Sequence, residues 1–318
     1  MPSFTATAPG KIILFGEHAV VYGEPAIAAP VHSLQARAVV NARVNGNPGQ
    51  IWIEAPDISL SAPFINLNDN HPLRVAIKAV LGDRDPTQTP ACRIHVSSTI
   101  PRASGLGSSA AISAATIRAF SAFLGKRLTD QEVSDLTFVV EIIHHGTPSG
   151  IDNTVVAHQK PVYYRKGAPF QLLPIGAPFL ILIADTGVPG KTREAVDGVR
   201  KKWLNDPEKI NRIFSNIGLI SKSAKDLIKS GSTKQLGPLM DQNHQLLNEL
   251  GVSTPLLDHL VQTARDHGAL GAKMSGGGLG GHLIALVEEG NETIAEKLVL
   301  AGASSSMITP VENRDLIS

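Results

Sequence analysis

Strand-like and helix-like stretches follow one another in this chain without a regular β-α-β alternation, and that order narrows the fold more than any single motif does. "KIILFG" (11–16), "LQARAVVNARV" (34–44), "QIWIEA" (50–55) and "CRIHVSS" (92–98) are β-branched or alternating, as strands are, and "VNGNPG" (44–49) is a turn cluster. "HPLRVAIKAVLG" (71–82) carries its apolar residues at helical spacing. The same spacing predicts a helix from Ser108 to Leu124, with Ile112, Ile117, Phe120 and Phe123 inward. A further helix, ending near His145, opens on the capping box Thr129–Glu132. "TVVAHQKPVYY" (154–164) reads as strand, and composition shifts at "LLPIGAPF" (172–179). Beyond lie the strand "FLILIADT", helices over 191–204, 207–230, 233–250, 255–268 and 291–302, and strand-like "GAKMS", "GHLIALVEE" and "SSMITPV". Asp206 and Pro207 suit the cap and first-turn positions of the second of these helices. The mixture predicts an α+β chain of two domains, 1–176 and 177–318, and not a doubly wound sheet.

Composition removes several function classes. The 318 residues carry a net charge of +1, so no strong field draws the chain to nucleic acid or to an anionic membrane. Aromatic residues make up 4%, too few for a base-stacking surface. Cys92 is the single cysteine, which excludes a disulfide framework and a cysteine zinc site. "MPSFTATAPGK" lacks the pattern of a signal peptide, and apolar runs such as "FLILIA" are too short to span a bilayer. A cytoplasmic protein is the expectation.

Three glycine-rich places invite a ligand. In "IPRASGLGSSAA" (100–111) the glycines precede a helix, whose first N–H groups are unpaired and positively polarised, and Ser109 adds a hydroxyl within reach of a cation. A glycine turn capped by serine is the plainer reading. "DTGVPGKT" (185–192) ends as a Walker phosphate loop does, but Asp185 stands where that loop needs glycine and Pro189 removes a donor. It reads as a turn into a helix with Thr192 as the cap. "KMSGGGLGGHLIAL" (273–286) has five glycines within 276–281, which suits backbone lying against a ligand, or else a mobile hairpin.

Among charged residues, Glu141 is one carboxylate within the apolar run "FVVEII" on a helix, so it must be paired, protonated or bound to a metal. Magnesium favours one or two carboxylates with phosphate oxygens; a partly exposed glutamate at the edge of the face is the alternative. Asp152 sits in the loop "GTPSGIDN", either an Asx-turn residue or a carboxylate held at a reacting hydroxyl. Lys11 opens a strand after Pro-Gly and is either solvated or functional. His18 and the pair His144–His145 lack the spacing of a histidine metal site.

The order of four segments is more specific than any of them alone. "APGKIILFGEHAVVYG", "PRASGLGSSAA", "EIIHHGTPSGIDN" and "KMSGGGLGG" together resemble the GHMP kinases, the family of galactokinase, homoserine kinase, mevalonate kinase and phosphomevalonate kinase, over nearly the whole chain. "FGEHAVVYG", "HGTPSGIDN", "KTREAVDGVR" (191–200) and "NHQLLNELGVSTP" (243–255) are most similar to the mevalonate-phosphorylating branch.

The resemblance implies an N-terminal domain like ribosomal protein S5 domain 2, a ferredoxin-like C-terminal domain, and transfer of phosphate from ATP with Mg2+ to the 5-hydroxyl of mevalonate. It implies that Gly105, Leu106, Gly107, Ser108 and Ser109 wrap the phosphates and that Ser109 and Glu141 hold magnesium. Asp152 is then the catalytic base, with Lys11 beside it as a neutralising cation. Glu17, His18 and Thr192 contact mevalonate, Lys191 and Arg193 are candidates for its carboxylate, and Gly276, Gly277 and Gly278 close the site. Leu279 departs from the family's run of small residues. Three rivals stand beside this reading: phosphomevalonate kinase, diphosphomevalonate decarboxylase and a non-catalytic nucleotide-binding protein of the same fold. The first needs a basic cluster beyond Lys11, Arg102, Lys191 and Arg193; the second is disfavoured by Glu141 and "FGEHAVVYG"; the third is disfavoured by the presence of Lys11, Glu141 and Asp152. A homodimer is one assembly left open.

Overall fold

A computed structural model describes residues 3–102, 104–145 and 148–313, without the side chains of His144 and His145; the histidine pair weighed above as metal ligands therefore lies outside the described side chains. Along the chain run β1 (Ser3–Phe15), β2 (Pro25–Ala42), β3 (Ile51–Ala55), β4 (Leu60–Pro63), α1 (Pro72–Leu81), β5 (Cys92–Ser98), α2 (Ser108–Phe123), α3 (Asp130–His145) and α4 (Ile151–His158). There follow β6 (Val162–Arg165), β7 (Gln171–Leu172), β8 (Phe179–Asp185), α5 (Thr192–Asn205), α6 (Pro207–Ser230), α7 (Leu236–Leu250), α8 (Pro255–Asp266), β9 (Gly271–Ser275), β10 (His282–Val287), α9 (Thr293–Leu300) and β11 (Ser305–Val311). No helix among the described residues is long and apolar enough to cross a membrane.

Contacts divide the chain into two compact units, and neither is contiguous. Met1–Gly10, His32–Pro101 and Gly107–Gln159 form one; Lys11–Val31, Arg102–Leu106 and Lys160–Ser318 form the other. The division passes through β1 and β2 and again between Leu106 and Gly107, whereas the linear boundary expected from composition falls at 176.

In the first unit β3 lies parallel to β5, while β4 and the second half of β2 pair antiparallel. Ile53 and Ile94 face each other across the ladder, both fully buried. Helix α2 packs on β5, α1, α3 and α4. Its run Ala110, Ala111, Ala114 and Ala115 is fully buried, so small side chains allow close helix approach, while Ile117 and Phe120 each contribute about 1.5–3 kcal/mol through burial. The expected capping box is formed: Thr129 N donates to Glu132 Oε2 at 2.7 Å and Glu132 N to Thr129 Oγ1 at 3.2 Å.

In the second unit the antiparallel sheet β11-β8-β10-β9 packs against α7, α8 and α9 over a core that includes Leu182, Leu247, Leu260, Met274, Leu283 and Leu298. The first half of β2 pairs with β6 in this unit. Asp206 caps α6 by accepting from Lys209 N at 3.0 Å, with Pro207 in the first turn.

Three local expectations are corrected. Residues 154–158 are helix, and only 162–164 of the strand-like stretch are extended, as part of β6. Gly150, at φ 95°, turns the chain into α4; Thr154 Oγ1 donates to Gly150 O at 2.7 Å, and Asn153 Nδ2 donates to the Ser134 carbonyl and hydroxyl. Those contacts outweigh the β preference of Thr154, Val155 and Val156. Asp152 therefore sits in the first turn of a helix and not in a loop. Thr192 is the first residue of α5 and not its cap; Lys191 holds the cap position with no side-chain bond. Strands β1 and β2 run longer than their patterns suggested, and β4 had no counterpart in the expected elements.

Candidate active site

In the first unit, Gly107 takes the left-handed conformation at φ 77° and caps α2 with no side-chain bond, as a residue without a side chain must. Ser108 and Ser109 are the first two residues of α2. Ser109 Oγ donates to Glu141 Oε1 at 2.7 Å, joining α2 to α3. Glu141 is 3% exposed, which agrees with a buried carboxylate and not with the edge of an exposed face. The serine oxygen keeps lone pairs and the carboxylate its charge, a donor set that fits a hard cation taking its remaining oxygens from phosphate and water. Among the described residues no group of three or more His, Cys, Asp or Glu could hold a metal ion. Asp152 lies half-buried in the first turn of α4.

In the second unit, Lys11 of β1 is 4% exposed, which removes the reading of a solvated lysine. Its backbone N–H donates to Leu106 O at 2.8 Å, so β1 holds the arm of the glycine–serine loop that belongs to this unit. The glycine run 276–281 is fastened along its length and is not a free hairpin. Leu279 N donates to Val252 O at 2.8 Å, Lys191 N to Gly278 O at 3.2 Å and Gly281 N to Val188 O at 2.7 Å. At Gly278, φ 81°, a Cβ would stand 2.1 Å from Val252 O; at Gly277 it would stand 2.4 Å from Thr192 Oγ1. Backbone packing and a left-handed φ thus demand glycine at Gly278, while the side chain of Thr192 fills the space beside Gly277. Leu279 packs on the apolar core, which accounts for a large residue among the glycines. "DTGVPGKT" is the turn to which this run is bonded. Lys191 pairs with Glu194 at 3.2 Å, with both side chains largely exposed.

Glu17 and His18 follow β1. His18 has φ 60°, unusual for a residue with a side chain. Its Nε2 lies 3.0 Å from Gly277 O; a carbonyl only accepts, so Nε2 carries the proton and Nδ1 the lone pair of a neutral ring. Burial lowers its pKa to about 4, which keeps the ring neutral. Glu17 forms a buried ion pair with Lys273, the two 1% and 0% exposed. Burial pushes the glutamate up and the lysine down, and their mutual attraction opposes both shifts; Lys11 adds a weaker downward pull on Glu17. Glu17 Oε2 is buried without a hydrogen-bond partner among the described residues, an acceptor left for a hydroxyl.

Lys11, Glu17, His18, Gly105, Leu106, Thr192 and Gly276–Gly278 thus belong to the second unit, and Gly107, Ser108, Ser109, Glu141 and Asp152 to the first. Sequence reasoning missed Lys273 and His282. A lysine inside the apolar strand "GAKMS" was the available signal for the former. It also missed His244, which accepts from Met274 N at 3.3 Å, lies 3.2 Å from Asp258 Oδ1 and links α7 and α8 to β9.

Comparison with known proteins covers most of the chain. The model of the GHMP kinases N terminal domain matches residues 70–160, and that of the GHMP kinases C terminal matches 224–303. Mevalonate kinase of Thermococcus sibiricus is 40% identical over 93% of each chain, and that of Pyrococcus furiosus is 38% identical over 98% of this chain and 97% of its own. Among solved structures, the Methanococcus jannaschii mevalonate kinase superposes with a TM-score of 0.83 at 28% identity over 99% of both chains. The L. major mevalonate kinase in complex with R-mevalonate does so at 0.81 and 29%, over 98% of this chain and 97% of that one.

Proposed function

The chain belongs to the GHMP kinase family, and on that premise we propose that it transfers the γ-phosphoryl group of ATP to the 5-hydroxyl of mevalonate, giving 5-phosphomevalonate and ADP. Likeness to mevalonate kinases over almost the full length is the observation that carries this reading. Kinase relatives at that coverage imply ATP as the donor.

Phosphoryl transfer asks a protein mainly for positioning and charge. The backbone N–H groups of Gly105, Gly107, Ser108 and Ser109 receive the phosphates at the start of α2, where the helix dipole favours an anion, and Leu106 holds the loop between them. Ser109 and Glu141 are the residues that would hold a magnesium ion, which when bound supplies positive charge to the phosphate oxygens. The mevalonate oxygen attacks the γ-phosphorus, the bond to the β–γ bridging oxygen breaks, and the hydroxyl proton passes to Asp152. Lys11 offsets charge on the transferring group. Glu17 Oε2 and His18 Nδ1 serve as acceptors for mevalonate, with Thr192 next to them along Gly277.

ADP release measured against mevalonate, phosphomevalonate, homoserine and galactose tests the proposal. Turnover with mevalonate alone is expected. Faster turnover with phosphomevalonate or another alcohol would replace the substrate assignment.

A further inference from the structure

His282 opens β10 and is fully buried. Its Nδ1 lies 2.6 Å from the carbonyl oxygen of Ser104, a residue 178 positions earlier that immediately precedes Gly105. The carbonyl accepts, so Nδ1 carries the proton. Both residues belong to the second unit. A Cβ on Gly105 would stand 3.5 Å from His282 Cε1, and one on Gly281 would stand 3.2 Å from Ser104 O. Two further bonds hold the same short arm: Leu106 N donates to Ser104 Oγ at 3.4 Å, and Lys11 N donates to Leu106 O at 2.8 Å. Burial lowers the pKa of His282 to about 4, so a neutral ring makes this contact. Nothing in the proposed chemistry uses the side chain.

We propose that His282 is a positioning residue for the nucleotide: by holding the Ser104 carbonyl it fixes the 104–106 arm in the one conformation that turns the following N–H groups toward phosphate. The inference rests on residues 105–109 being the phosphate site. An arm that loses the His282 bond at Ser104 is held by fewer contacts and must pay ordering entropy when the nucleotide arrives. The side chain does not touch the alcohol substrate in this reading, so its effect separates the two substrates.

The test compares H282A, H282N and H282Q with wild type and with G107A, measuring KM for ATP and for mevalonate, affinity for ADP by displacement of a fluorescent nucleotide, and Tm. An asparagine amide nitrogen can occupy the place of Nδ1, whereas a glutamine amide reaches toward Nε2. H282A and H282Q are expected to raise KM for ATP and weaken ADP binding by about tenfold, the effect of one buried hydrogen bond lost, with KM for mevalonate within about twofold. H282N is expected near wild type. Equal losses for both substrates, or none, in folded H282A would overturn the proposal, as would H282N behaving like H282Q. If H282A does not fold, the contrast between H282N and H282Q decides alone. G107A tells the two levels apart. Loss of ADP affinity in G107A with unchanged H282A rejects the role of His282. Unchanged affinity in both rejects the phosphate site itself.

Discussion

Glu141 shows how one side chain joins local sequence to chemistry. It is buried on α3 and accepts from Ser109, so its charge is compensated by hydrogen bonding and, in the proposed reading, by a cation. E141Q keeps the shape and loses the charge. Turnover at saturating magnesium should fall by at least about tenfold while Tm changes by only a few degrees; steady-state kinetics against magnesium concentration and a thermal melt check this. Asp152 and Lys11 give a second test. D152N should lower kcat by about 10²-fold or more, since base catalysis contributes about 10²–10⁴. K11M should lower kcat as well, and the double variant should lose less than the product of the two if the residues act as a unit. The two lie in different contact units, so their coupling is a kinetic question that the cycle answers directly. The burial of Glu141 was legible because a carboxylate in an apolar run breaks a local pattern, whereas its bond to Ser109 joins two helices that no single stretch contains. His282 was not, because one histidine before "LIALV" looks like any core residue until its partner 178 positions away is known.

Among elements, the glycine run 276–281 makes the sharpest demand. G278A meets both a left-handed backbone and the Val252 carbonyl, and should destabilise by about 2–5 kcal/mol. G290A shares the positive φ but meets nothing within 4 Å, and should cost about 1–2 kcal/mol. Denaturant melts of the two variants measure the difference. Most elements were readable from period and caps, as the Thr129–Glu132 box and the Asp206 cap illustrate. Helix α4 was not. Thr154, Val155 and Val156 favour strand by themselves, and the helix depends on Gly150 and on the Asn153 bonds to Ser134, which no local window contains.

For the whole molecule, three buried neutral histidines make stability depend on pH. His18, His244 and His282 each have a pKa lowered by burial to about 4. A histidine whose folded pKa is depressed binds its proton more readily in the unfolded chain. Its contribution is therefore fully present above about pH 6.5, falls as pH drops through the window from about 6.5 to about 4, and is flat below it. Each should add a slope of up to about 1.4 kcal/mol per pH unit within that window. Glu17, whose pKa burial raises, acts in the opposite sense above pH 4.5. Unfolding free energy measured from pH 7 to pH 4 should fall, and in H282N by about one proton's slope less. The interleaving of the two units was the part of the architecture least legible in sequence. Lys11–Val31 and Arg102–Leu106 join the second unit through contacts with residues far along the chain, such as Ile13 with Ser275 and Ser104 with His282.

The central claim is that this chain phosphorylates the primary alcohol of mevalonate. Its most direct test is the product itself. Wild-type protein and D152N are incubated with ATP, magnesium and mevalonate, and phosphorus and carbon NMR follow the mixture. The account predicts a phosphomonoester whose phosphorus couples to the C5 protons, formed one for one with ADP by the wild type and about 10²-fold more slowly by D152N. A phosphate on the tertiary C3 oxygen, or ADP formed without any phosphorylated mevalonate, would contradict it.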